Sequence, residues 1–153
     1  MRSASGPGCA CSGPDHAGSG LNAGTRLCYI EAVLSYLHIR GLALLDDVAL
    51  ELGRGMNVLT GETGAGKSII VDALALLRGA RGRAELVRQG ADSARVEAQF
   101  ELDAPAQGRV APVLVELGVE QGESLVLERV VGRAGRGRSA VQSVLTTQGV
   151  LER

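Results

Sequence analysis

The sequence predicts an α/β domain, and three observations carry that prediction. Apolar and polar residues alternate through residues 48–52, a glycine-rich octapeptide at residues 61–68 follows a short apolar run, and residues 69–77 are apolar nearly all round and long enough for more than two helical turns. At 153 residues the chain is about one domain, and its 45% hydrophobic and 22% charged content suits an ordinary packed core. The formal net charge of -1, from 16 basic and 17 acidic residues, excludes nucleic-acid binding by bulk charge and leaves only a local basic patch. Aromatic residues make up 2% (Tyr29, Tyr36 and Phe100), too few for stacking single-stranded bases. No apolar run approaches the roughly 20 residues of a membrane helix, so no membrane partner is expected.

The elements follow in order. Residues 1–26 are rich in glycine and serine, carry Pro7 and Pro14 and hold few charges, a composition that cannot offset its own ordering entropy. Residues 1–32 are therefore expected to be disordered, or to be a mis-assigned extension upstream of the natural start. The three cysteines, Cys9, Cys11 and Cys28, make no disulfide framework, and a reducing cytoplasm is the expected compartment. With His16 they can be drawn as a zinc set, but the spacing fits zinc patterns poorly, and their role stays unassigned. The apolar-rich stretch 37–45, a turn expected at Asp46-Asp47, and the alternation of Val48, Leu50 and Leu52 read as a hairpin. Gly53-Arg54-Gly55 breaks the chain, and residues 56–60 are expected to form a buried strand. Residues 107–117 read as a short surface helix after Pro105, and residues 124–128 as an apolar strand ending at Glu128.

The octapeptide carries the chemistry. Gly61, Glu62, Thr63, Gly64, Ala65, Gly66, Lys67 and Ser68 match G-x-x-x-x-G-K-[ST] at every fixed position. A polyphosphate needs backbone N–H groups aimed at closely spaced oxygens, and glycine permits that approach. Lys67, the only lysine in the chain, supplies an ammonium for the terminal phosphates, and Ser68 a hydroxyl for Mg²⁺, which prefers oxygen ligands. The helix that follows points its positive end at the anion, and Gly79 is placed to end it. The expected ligand is a nucleoside triphosphate with Mg²⁺. With no lysine after Lys67, the N/T-K-x-D segment by which GTPases read guanine is missing from these residues.

Several separate blocks then point one way: residues 37–46, 48–52 and 55–69, then 71–74, Leu77, Gly79, Arg81, 86–88 and Gly90, and later 96–100, 127–131 and 137–139. In that order they resemble the start of the RecN family of bacterial DNA repair proteins, which is similar to the SMC family. The resemblance implies that residues 33–153 are the incomplete N-terminal lobe of an ABC/SMC-type P-loop ATPase head, binding ATP and Mg²⁺. It also implies DNA and a second head, engaged head-to-head on ATP, as partners in recombinational repair of double-strand breaks in the bacterial cytoplasm, at the nucleoid. Val33 stands where chains of that family begin. Gly41-Leu42 replaces the family's usual Asn-Phe, and residues 140–144 replace an aromatic-rich strand. No L-S-G-G-[QE]-like run is present, and family order puts Glu128 in a peripheral hairpin instead of a Walker B strand, so no catalytic residue is expected within the chain. On the residues alone, a stand-alone module that binds ATP without hydrolysing it is the alternative. Arg78, Arg81, Arg83 and Arg88, and then Arg129, Arg133, Arg136 and Arg138, read as a solvated face, with DNA-backbone contact the second reading.

Overall fold

The computed structural model describes residues 32–60, 64–134 and 136–152. Expectations for residues 1–31, including Cys9, Cys11, His16, Cys28 and Tyr29, lie outside the described residues. Among the described residues, six strands form one antiparallel sheet in the order β2-β1-β3-β4-β5-β6. They are β1 (Ala32–Leu42), β2 (Leu45–Glu51), β3 (Ser93–Leu102), β4 (Ser124–Gly132), β5 (Gly137–Val141) and β6 (Val144–Thr146). Three helices accompany them: α1 (Gly64–Leu77), α2 (Ala104–Glu116) and the single turn α3 (Gln148–Leu151).

Strand alternation divides the sheet into two faces. Leu37 and Ile39 of β1, Ala94, Val96 and Ala98 of β3, and Val131 of β4 form the core together with Ile69, Ala73, Leu76 and Leu77 of α1. Cross-strand register aligns them, with Ile39 opposite Val96 and Leu37 opposite Ala98. The other face is polar, where His38 lies opposite Glu97 and Arg40 opposite Arg95. Ile69, Ala73 and Leu76 follow the i, i+4, i+7 spacing of a single helical stripe, while Val71 on the far side is 65% exposed. The apolar helix is thus covered on one side only among the described residues. Its end is a two-bond glycine cap: Gly79, at φ +91°, donates to Leu76 O (3.1 Å), and Ala80 donates to Ala75 O (3.0 Å). Helix α2 starts earlier than expected because Asp103 caps it, Oδ1 accepting from the Ala106 N–H at 2.8 Å.

Two expectations are corrected. The hairpin turn lies at Ala43-Leu44, not at Asp46-Asp47. Leu42 already pairs with Leu45, and Gly41 and Ala43 take positive φ of 60° and 50°. Glycine is needed at 41, since a Cβ there would come 2.8 Å from Ser93 O. The aspartates instead project from β2. Asp47 Oδ1 is 2.7 Å from His38 Nε2, its Oδ2 accepts from Arg40 Nε at 3.1 Å, and Asp46 lies 3.7 Å from Arg88 Nε. Second, residues 56–60 form no strand and are not buried: Met56 is 90% exposed and Val58 66%. A buried strand needs neighbours to take its N–H and C=O groups, and none pairs with this segment among the described residues. Asn57 fixes its beginning instead, accepting from Gly53 N–H (3.0 Å) and donating to Gly53 O (2.8 Å).

Candidate nucleotide site

Of the octapeptide, Gly61, Glu62 and Thr63 lie outside the described residues, while Gly64 to Ser68 open α1. The sequence places glycines where the chain enters the helix and a lysine and a serine one turn in, so Lys67 and Ser68 leave the first turn together, both exposed. The first turn of an α-helix presents N–H groups with no acceptor inside the helix, and the helix dipole makes that end positive. No acidic residue of the first turn opposes an anion. At Gly66 a Cβ would meet nothing within 4 Å, so the backbone there is open to close approach. A cation, a hydroxyl and a helix N-terminus are the donor set that a triphosphate with a hard divalent cation requires. The residues described therefore fit such a ligand. Among the described residues no group of three His, Cys, Asp or Glu side chains is placed to hold a metal without it.

Glu128 sits in mid-β4, opposite Glu97, and accepts from Arg95 Nη2 at 2.8 Å. Its carboxylate is engaged in a cross-strand ion pair with Arg95. The arginines do not behave as one solvated face. Arg88 donates to Leu44 O (2.8 Å) and ties its loop to the β1–β2 turn, while Arg133 donates to Ala91 O (3.0 Å) and Arg88 O (2.9 Å) and ties the β4–β5 turn to the segment before β3. Arg129 corrects the solvated reading outright, being only 6% exposed. Its Nη1 donates to Ser139 Oγ (2.5 Å) and its Nη2 to Gln148 Oε1 (3.3 Å). Burial pushes its guanidinium below the ordinary arginine value. Strand parity gives the signal: Arg129 shares the side of Val131, which the alternation of β4 turns toward α1. No helix among the described residues is long and apolar enough to cross a membrane.

A helix opened by a glycine-rich phosphate motif and laid on a predominantly antiparallel sheet defines the class: a lobe of a P-loop ATPase. Residues 36–143 match the AAA domain family, and the chain belongs to that family. Relatives include the DNA repair protein RecN of Vibrio cholerae, 38% identical over 109 residues and covering 71% of this chain and 19% of the relative. The DNA repair protein RecN of Bacillus subtilis is 39% identical over 118 residues, covering 75% of this chain and 20% of the relative. The chain thus spans about a fifth of the length of the curated relatives it matches. Among solved structures, one described as the SMC head domain from Thermotoga maritima aligns with TM-score 0.56 at 20% identity, over 76% of this chain and 40% of that one. Another, of the recombination mediator protein RecF with ATPγS, aligns with TM-score 0.60 at 19% identity over 78% and 29% of the two chains. These likenesses show that the antiparallel sheet and α1 share the fold of those structures.

Proposed function

We propose that residues 33–153 belong to the N-terminal, ATP-binding lobe of a RecN-like protein acting in recombinational repair of DNA double-strand breaks. The observation that carries the reading is the octapeptide Gly61–Ser68 at the mouth of α1, with Lys67 and Ser68 side by side in sequence at its exposed first turn. The RecN relatives supply the biological setting. In this reading Lys67 holds the terminal phosphates, the backbone from Gly61 to Gly66 wraps them, and the Ser68 hydroxyl holds Mg²⁺ when it arrives with ATP. The bound Mg²⁺ supplies charge neutralisation across the phosphate oxygens. No group within the chain is assigned to water activation, and engagement with a second head on ATP and with DNA belongs to the longer protein, in the bacterial cytoplasm.

Isothermal titration of Mg-ATP into the chain and its Lys67→Ala variant tests the site. The reading expects binding that the variant weakens at least tenfold. Equal affinity in both proteins removes the phosphate assignment.

A further inference from the structure

A second polar pocket lies at the other end of α1. Its volume is about 270 Å³, and Arg81, Arg129, Arg138, Ser139, Thr146 and Gln148 line it. Gln148 Nε2 donates to Gly79 O, which fixes the pocket beside the C-terminal cap of α1. At 1.5 Å per residue the 14-residue helix sets it about 20 Å from the phosphate motif. It is therefore a site apart from the nucleotide cradle.

Its chemistry is one-sided. Three guanidinium groups converge on it, and none of its lining residues is acidic. Arg81 and Arg138 are exposed and make no ion pair among the described residues, and Arg129 is 94% buried with only neutral partners, Ser139 and Gln148. Glu152 reaches the Gln148 amide at 3.3 Å and not a guanidinium. Three buried side-chain polar atoms among the described residues lack a hydrogen-bond partner, and two of them, Arg129 Nε and Thr146 Oγ1, belong to residues of this pocket. A buried cation and an orphaned donor are each costly when left alone, and an oxyanion satisfies both at once. Gly137 also lines the pocket, and an added Cβ there would stand 2.8 Å from Val130 O of the neighbouring strand.

We infer that this pocket is a phosphate-binding site, with Arg129 as its fixed inner donor and Arg81 and Arg138 as its outer clamp. Guanidinium groups bind phosphate through paired N–H donors, and Ser139 and Thr146 add hydroxyls suited to the same oxygens. Arg83 and Arg136, close in sequence to the clamp residues, are exposed as well. No aromatic side chain lines the pocket, so the recognised group is the phosphate and not a base. The phosphodiester of a nucleic-acid backbone is the favoured source, and free phosphate the other.

The test uses the full 153-residue chain, its Arg81→Gln/Arg138→Gln double variant, whose substitutions are both at exposed positions, and the Lys67→Ala variant. Each is titrated with inorganic phosphate and, separately, with a short DNA duplex across a salt series. The double variant is expected to lose phosphate binding at least tenfold and to lower the slope of log affinity against log salt for duplex by about 2. Lys67→Ala, which alters only the nucleotide cradle, is expected to keep duplex binding and the phosphate binding that Arg81→Gln/Arg138→Gln removes. Duplex that competes with phosphate assigns the pocket to the nucleic-acid backbone, whereas phosphate binding that duplex leaves untouched assigns it to the free ion. A double variant that binds phosphate and duplex like the parent, or phosphate binding lost only in Lys67→Ala, overturns the proposal. Mg-ATP affinity, read in the same proteins, reports on the nucleotide site alone, so failure there is distinct from failure here.

Discussion

Leu76→Ala probes the contact that holds the phosphate helix to the sheet. Leu76 is 2% exposed in the core formed by α1 with β1, β3 and β4. Truncation removes three carbon atoms from a packed site and leaves a cavity between helix and sheet. Comparable buried leucines lose about 2–5 kcal/mol, and we expect about 3 kcal/mol here because sheet and helix backbones limit collapse around the gap. In a domain of this size each kcal/mol moves the melting temperature by roughly 3–5 °C, so the midpoint is expected to fall by about 10–15 °C. Val71→Ala on the same helix is the control, since Val71 is 65% exposed and its loss is expected within about 0.5 kcal/mol. Thermal unfolding followed by circular dichroism, with urea denaturation as the second measure, reads both. Leu76 lies about 12 Å along the helix from Ser68, so nucleotide affinity well below the midpoint is expected to persist. A Leu76→Ala loss under about 1 kcal/mol, or an equal loss in Val71→Ala, refutes the docking of α1 described above.

Three further outcomes follow from particular contacts. Asp103→Ala removes the side-chain acceptor for Ala106 N–H and is expected to cost about 1 kcal/mol by urea denaturation, with Asp103→Asn recovering most of it. Gly79→Ala forces a Cβ into a residue at φ +91° and is expected to cost about 1–2 kcal/mol in the same assay. The hydrogen bond from His38 is the main cause holding the Asp47 carboxyl below the ordinary carboxylate value, with Arg40 assisting. A depressed carboxyl contributes stability above its unfolded pKa and loses it as pH falls through the folded one. His38→Ala is therefore expected to raise the Asp47 midpoint in an NMR titration, and an unmoved midpoint contradicts the pairing.

Much of this was legible in the residues, for identifiable reasons. The alternation of Val48, Leu50 and Leu52 marked β2, and Gly79 marked the end of α1, because each depends on local periodicity or on a conformation few residues adopt. The residues point to the wrong turn because Asp46-Asp47 has turn chemistry, whereas the chain reverses at Ala43, whose positive φ no composition rule signals. The aspartates take partners distant in sequence, such as Arg88, which local reading does not see. Residues 56–60 have the composition of a buried strand but no ladder among the described residues, and strand formation depends on that partner. The phosphate motif was readable because its spacing is itself the chemistry. The arginine pocket was not, since it joins Arg81, Arg129 and Gln148 from three separate parts of the chain, and only the parity of Arg129 in β4 hinted that one of them faced inward.

We propose that the first turn of α1 receives a triphosphate. Hydrogen–deuterium exchange of the chain with and without Mg-ATP addresses it at the level of individual amides. Protection concentrated in residues 61–68, and lost in Lys67→Ala, is the predicted result; no change there, or protection confined to other segments, contradicts it.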